Sequence, residues 1–374
     1  MKSEWRIMRA EEFIDFNPRL SIKKGEIATK ISMDKLQPFT KQIPETGKAS
    51  FTGGAKFCNG DTIMARITPC LENGKTAFVD ILADGEVAFG STEFIVMRAK
   101  KGISDPQFVY YLATSPDFRQ VAIQSMVGSS GRQRVQQDVL NNVEIAVPTL
   151  EEQKKIGTFL KKFDDKIALN NKINDNLEQQ TQALYQKYFP ETDNAGKLAD
   201  LCDFSKDKIA VSELNVKNYF STENMLPDKK GTTEAANLPA VEQTTACHIG
   251  NVLVSNIRPY FKKILYCHCE GGCSTDVLCF VPKILELSAY LYCTLYADKF
   301  FDFMVAGSKG TKMPRGDKKQ IMTYSVCLPS ENELKNFNAA VLPMFQLIES
   351  NRRENARLSL LRDTLLPKLM AGEI

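Results

Sequence analysis

Histidine is nearly missing from this chain. Of 374 residues only His248 and His268 are histidines, and both lie in the second half. A mechanism that uses histidine as acid or base therefore has few places to reside. No apolar run of about eighteen residues occurs, so no stretch suits a membrane span. The opening residues, "MKSEWRIMRAEEF", lack the apolar core of a signal peptide, and the expected location is the cytosol. Cofactor motifs are missing too. "GKT" at Gly74 to Thr76 would need a glycine where Pro69 stands to form a phosphate-binding loop. "ENELK" at Glu331 to Lys335 holds a nuclease-like Glu-x-Lys, but it opens a helical pattern, where acidic residues complement the helix dipole. No Asn-Pro-Pro-aromatic methyltransferase motif is present. The expectation is a protein without catalysis, cofactor or metal of its own.

The composition is that of a globular protein, with 43% apolar and 25% charged residues, and its length allows two or more domains. Net charge is only +3. Its distribution says more. Between Val305 and Gln320 lie Lys309, Lys312, Arg315, Lys318 and Lys319 against a single acid, Asp317. A loop of that kind suits a phosphate-bearing partner. Cysteines concentrate between Cys247 and Cys293. "CHCEGGC" from Cys267 invites a zinc reading, but it offers no CxxC pair. Alternation in "ILYCHCE" puts Cys267 and Cys269 on one face, as expected of small buried residues in a strand.

An internal repeat organises the rest. "GDTIMARITP" from Gly60 matches "GNVLVSNIRP" from Gly250, and "STEF" from Ser91 matches "STDV" from Ser274. Two basic glycine turns follow, "GSSGRQRV" from Gly128 and "GSKGTKMP" from Gly307. Then come "VEIAVP", ending at Pro148, and "MTYSVCLP", ending at Pro329. The order is the same in both halves.

After each proline runs a long helical pattern. Ile156, Leu160, Phe163, Ile167, Asn170, Asn174, Leu177, Thr181, Leu184 and Tyr188 alternate at steps of four and three, the a/d seam of a coiled coil. Adding 181 gives Phe337, Val341, Met344, Ile348, Asn351, Asn355, Leu358, Arg362, Leu365 and Leu369. Even the two central asparagines recur. Matched asparagines on two seams point to a hydrogen-bonded polar layer of Asn170, Asn174, Asn351 and Asn355.

The expected fold is α+β, with two similar mixed α/β domains separated by a pair of long antiparallel coiled-coil helices. The segments are residues 1–150, a first domain; 151–189, a helix spanning roughly 58 Å at 1.5 Å per residue; 190–330, a second domain; and 331–374, a second helix. Pro343 lies inside the second helix and predicts a kink or a late start.

This layout resembles the specificity (S) subunit of type I restriction-modification enzymes, the HsdS-like family. The resemblance covers essentially the whole chain. It includes "VEIAVPTLEEQKKIGTFLKKFDDKI" from Val143 and the closing "LRDTLLPKLMAGEI" from Leu361. The second copy departs from it with "PSENELKNF" where "PTLEEQKKI" stands in the first. The resemblance implies that each globular domain is a target-recognition domain reading one half of a bipartite site in double-stranded DNA. It implies that the helices form a spacer and a platform for two methyltransferase (M) subunits, which restriction (R) subunits join. Base edges are read by hydrogen bonds, Arg pairing best with guanine and Asn or Gln with adenine. The candidates in the first half are Arg66, Ser129, Ser130, Arg132, Gln133 and Arg134. In the second they are Arg258, Tyr260, Lys262, Lys263, Ser308, Lys309, Thr311, Lys312 and Arg315. The competing expectation is a coiled-coil adaptor that binds proteins only.

A spacer made of helices is a ruler. One heptad inserted in each helix adds about 10 Å and keeps the seam in phase. B-DNA advances about 34 Å per ten base pairs, so the addition equals roughly three base pairs. The enzyme should keep both half-sites, act more slowly, and prefer a spacer longer by about two to four base pairs. Mapping of methylated adenines checks this; an unchanged spacer with full activity means the helices do not set the distance.

Overall fold

The structure, a computed structural model, describes residues 5–129, 131–190 and 195–374. The chain forms two compact units: residues 1–171 with 352–374, and residues 172–351. No helix among the described residues is long and apolar enough to cross a membrane.

The first unit is built on a four-stranded antiparallel sheet in the order Ile14–Phe16, Phe94–Ala99, Thr62–Ala65, Thr76–Phe78. Thr62–Ala65 is buried along its whole length, as a central strand covered on both faces must be. Helix Pro106–Thr114 packs on this sheet. Its N-cap Asp105 accepts from the backbone N–H groups of Gln107 and Phe108, and Pro106 takes the first helical position, where no N–H is needed. A second sheet has the order Gly47–Ser50, Ile27–Ile31, Ala88–Gly90, Lys56–Phe57, with its central pair parallel. Arg6–Arg9 pairs with Glu144–Val147, which leads the chain into the first long helix.

The second unit repeats the first sheet strand for strand: Cys202–Phe204, Val277–Pro282, Val252–Ser255, Ile264–Tyr266, all antiparallel. Its other sheet differs. Tyr219–Phe220 pairs in parallel with Gly271–Cys273, which pairs antiparallel with Gln243–Cys247, matching three strands of the first unit. The fourth strand, Lys208–Ala210, is added beside Gln243–Cys247, on the opposite edge from Gly47–Ser50. Between the two sheets, Cys247, Cys267, Cys273 and Cys279 are buried in one apolar cluster with Phe220, Leu253 and Leu265, and Cys269 packs against it. The cysteines are free thiols used as small core residues.

The long helices run from Leu150 to Tyr188 and from Glu331 to Met370. Each opens with the same capping box. Thr149 Oγ1 accepts from the Glu152 N–H at 3.3 Å while Glu152 accepts from the Thr149 N–H at 3.0 Å. Ser330 and Glu333 repeat this at 3.4 and 2.8 Å. The divergent "PSENELKNF" therefore keeps the start signal of "PTLEEQKKI". Gly157 lets the first helix lie close on helix Pro106–Thr114: a Cβ there would come within 2.8 Å of Gln107 Cβ. The late start expected at Pro343 is not observed, because the helix runs through it. Pro343 and Ala339, whose carbonyl loses its partner, both lie on the exposed face, where water satisfies the carbonyl.

Both units contain segments of both helices, paired antiparallel. In the first unit Leu160, Leu366 and Leu369 pack with Phe78, Tyr110 and Tyr111. In the second, Phe337, Val341 and Phe345 join Phe189, Tyr290 and Leu291. None of the twenty seam residues is exposed. The first unit adds a buried polar network. Asp164 accepts from Tyr111 Oη at 2.5 Å and from Arg362 Nη1 at 2.5 Å. The Lys41 side chain reaches Tyr111 Oη at 3.2 Å and lies 4.8 to 5.3 Å from the ring centroids of Tyr111, Tyr110 and Phe78. In the second unit the 181-residue offset puts Phe345 and Thr181 where Asp164 and Arg362 stand. There an open groove of about 950 Å³ is lined by Tyr266, His268, Leu334, Leu342 and Phe345.

Burial depresses the pKa of Lys41 from 10.5 to about 8, with Asp164 opposing the shift. The unfolded chain therefore binds the extra proton between those two values. Stability gains with rising pH across that window, at up to about 1.4 kcal/mol per unit. The Lys41→Met variant should lack this rise. Denaturant unfolding of both chains at pH 7.5, 8.5 and 9.5 measures it, and equal slopes mean Lys41 is protonated alike in both states.

Candidate nucleic-acid interface

The glycine turns are clipped in the same way in the two units, but Gly128 and Ser129 lie inside the first closed loop while Gly307 and Ser308 lie outside the second. In the first, Val127 and Arg134 exchange backbone hydrogen bonds at 3.1 and 2.9 Å and close the loop between them. Gly131, with φ +75°, supplies the left-handed residue that the turn needs. The closed turn then clips to the loop after strand Thr62–Ala65. The Arg66 carbonyl accepts from the Val135 N–H at 2.8 Å, the Thr68 N–H donates to the Gln133 carbonyl at 3.0 Å, and Thr68 Oγ1 accepts from the Gln133 N–H at 3.0 Å. In the second unit Lys309 and Arg315 exchange bonds at 2.9 and 2.9 Å, with Gly310 at φ +101°. That turn clips to the loop after Val252–Ser255: the Arg258 N–H donates to the Pro314 carbonyl at 2.8 Å, and the Gly316 N–H donates to the Asn256 carbonyl at 3.2 Å.

The structure brings Arg66, Ser129, Arg132, Gln133 and Arg134 into one surface feature. Ser130 lies outside the described residues. Ser129 uses its carbonyl to accept from the Arg132 N–H within the turn. Arg132 is exposed, with no side-chain hydrogen bond or ion pair seen among the described residues. Arg66 is half-buried; its Nη2 donates to the Val135 carbonyl at 3.4 Å and its Nε has no partner among the described residues. Arg134 is held differently. Its Nε and Nη2 lie 3.0 and 2.7 Å from Glu93 Oε1, and this contact raises its pKa.

The second set is gathered less tightly. Thr311 and Lys312 stand exposed at the turn, while Lys309 is paired with Asp317 at 2.6 Å. Ser308 Oγ caps the preceding helix by donating to the Val305 carbonyl at 2.7 Å. Arg315 Nη2 lies 2.9 Å from Asp276 Oδ1. Arg258 sits at φ +50° with its Nε buried and without a partner among the described residues. Tyr260 is half-exposed beside Phe261, their ring centroids 4.7 Å apart. Lys262 is engaged by Asp298 at 2.9 Å. Lys263 is turned to the Thr222 carbonyl, and burial lowers its pKa.

Glu93 and Asp276 were missed by sequence reasoning, although both stand in the repeated "STEF" and "STDV". The matching charge at the third position of each step was the available signal.

The seam asparagines pair across the helices. Asn170 Nδ2 donates to Asn355 Oδ1 at 2.9 Å and to Glu354 Oε2 at 2.7 Å; Asn355 Nδ2 donates to Asn171 Oδ1 at 2.8 Å. In the other unit Asn351 Nδ2 donates to Asn174 Oδ1 at 2.8 Å, with both residues buried.

Residues 2–179 match a family model described as the type I restriction modification DNA specificity domain. The chain is 35% identical over 129 residues to the type I restriction enzyme EcoAI specificity subunit of Escherichia coli, a match covering 34% of this chain and 20% of that subunit. The MjaIX specificity subunit of Methanocaldococcus jannaschii is 23% identical over 300 residues, 72% of this chain and 69% of that one. The crystal structure of a type I restriction-modification S subunit from M. genitalium covers 98% of this chain and 96% of its own, with a TM-score of 0.58 and 16% identity. That likeness shows a shared fold.

The asparagine pair makes a stability cycle possible. Asn174→Leu alone strands the Asn351 amide in an apolar seam and should cost about 1–3 kcal/mol. Asn174→Leu with Asn351→Leu should recover most of that loss while weakening the control of register. Denaturant unfolding of the single and double variants measures the coupling; additive losses would show that the hydrogen bond contributes nothing.

Proposed function

We propose that this chain, which matches the type I restriction modification DNA specificity domain over residues 2–179, is the non-catalytic subunit of that family that reads a two-part site in double-stranded DNA. Each unit reads one half through its glycine turn. The helices carry two methyltransferase subunits, which restriction subunits join, in the cytoplasm. In this reading residues 1–150 and 190–330 are the recognition domains, and residues 151–189 and 331–374 are the spacer helices. The observation that carries it is the duplicated clip: two units, each fixing a basic turn against the loop that follows its buried central strand.

The side chains divide by availability. Arg132 and Lys312 are free to meet phosphates, which fix position without reading sequence. Ser129, Ser130, Gln133 and Thr311 offer short polar groups suited to base edges, with Arg66, Arg258 and Tyr260 beside them. Lys309 is paired with Asp317 but largely exposed, so its ammonium keeps donors for a phosphate. Lys262 and Lys263 are held by Asp298 and by the Thr222 carbonyl. An adaptor that binds only proteins gives no reason for two basic turns fixed by the same bonds.

Arg132→Ala with Gln133→Ala, assembled with the methyltransferase subunits, should lower discrimination in one half-site by about ten- to a hundredfold, as loss of a base contact does. The other half-site should be unchanged. Sequencing of methylated adenines reads both halves at once. Equal loss in both halves means the units do not read independently.

A further inference from the structure

Glu93 and Asp276 are acids beside turns whose other charged groups are mostly basic, and they occupy the same place in both units. Each follows the repeated serine-threonine step. Each gives its backbone carbonyl to the loop that holds the turn: Glu93 O accepts from the Arg66 N–H at 2.9 Å, and Asp276 O accepts from the Asn256 N–H at 2.8 Å. Each takes the guanidinium of the residue that closes the turn, Arg134 or Arg315. After the shared Gly-Ser-x-Gly the side chains differ, Arg132 and Gln133 against Thr311, Lys312 and Met313, so this pair recurs where its neighbours have changed.

Stability does not explain the pair. The turns are already closed by two backbone hydrogen bonds each. The pairs are also open to solvent: side-chain exposure is 46% and 23% for Arg134 and Glu93, and 56% and 36% for Arg315 and Asp276. Ion pairs so exposed contribute little to folding. A carboxylate here also opposes the approach of phosphates, a cost that a passive surface residue would not impose on a DNA reader. What a carboxylate does supply is aim. With Nε and Nη2 of Arg134 on Glu93, one side of the planar fork is occupied. Nη1 also donates to the Arg132 carbonyl at 3.4 Å, so the guanidinium is held in a fixed plane with N–H groups of Nη1 and Nη2 still to spare. A guanine edge, with O6 and N7 acceptors, is matched by such a fork, and an arginine already oriented loses less rotamer freedom on binding.

We propose that Glu93 and Asp276 are positioning residues for sequence readout: each orients the arginine that closes its turn, and each thereby sets the base accepted at one position of one half-site. The inference rests on the reading of this chain as a two-part DNA reader. It adds residues to that reading that do not themselves need to touch DNA.

The test uses the full chain with its methyltransferase subunits and maps methylated adenines. Glu93→Gln keeps the size and an acceptor but removes the charge; Asp276→Asn does the same in the second unit. Glu93→Gln should lower discrimination at one base position of one half-site by about tenfold or more, with the other half intact and the melting temperature within about two degrees of the parent. Arg134→Ala should relax the same position, and the double variant should be no worse than Arg134→Ala alone. Glu93→Asp should restore part of the discrimination. Asp276→Asn and Arg315→Ala should repeat the pattern in the other half. Motifs unchanged in both acid variants, or relaxed at positions other than those of the arginine variants, overturn the inference and leave the two-part reading standing. A parent complex that methylates no two-part motif overturns both.

Discussion

The antiparallel seam is the contact on which both units depend. The first unit is not one continuous piece of chain, since residues 352–374 complete it, and the second, residues 172–351, begins and ends inside the long helices. Each therefore closes only when part of one long helix pairs with part of the other. Apolar residues along the seam supply the driving force. The asparagine pairs add little attraction but make other registers expensive, because a shifted helix would set buried amides against leucines. Register matters here because the same helices carry the residues that pack on the globular sheets. Leu160 and Leu369 meet Phe78, Tyr110 and Tyr111, while Phe337 and Val341 meet Phe189 and Tyr290.

That dependence explains which parts of the repeat are retained. The all-antiparallel sheet is the same in both units because it supports the helix that docks on the seam, and because its central strand delivers the loop to which the glycine turn is clipped. The second sheet carries no such double duty. Its three shared strands hold the "ST" step in place, while the fourth can be added on either edge, since an edge strand needs only one partner. The docking surfaces have drifted in kind as well. Where the first unit uses Asp164, Arg362, Tyr111 and Lys41, the second has Phe345 and Thr181 at the matching helix positions and leaves a groove. A buried ion pair and an apolar contact are often similar in net stability, so exchange between them is tolerated.

Charge at the turns follows a related logic. The basic residues counted in the sequence are not equally available in the fold. Lys262 and Lys309 are each paired with an acid, and Lys263 with a carbonyl. In the proposed reading a cation held in place serves geometry, and an exposed one such as Lys312 serves attraction.

The sequence by itself determined the repeat, the two long helices and the polar layers, because these depend on local periodicity and on side chains spaced along one element. "PTLEE" and "PSENE" even carry their capping boxes in plain view. It also set the glycine turns, whose left-handed residues need glycine. Only the tertiary structure decided which charges are free. Glu93 and Arg134 are 41 residues apart, and nothing local says that a strand and a turn will bring them together. The same holds for Lys41 and Asp164, and for the edge on which a fourth strand is added. Pairings across such distances are settled when sheets and helices close around a shared core, which no single segment encodes.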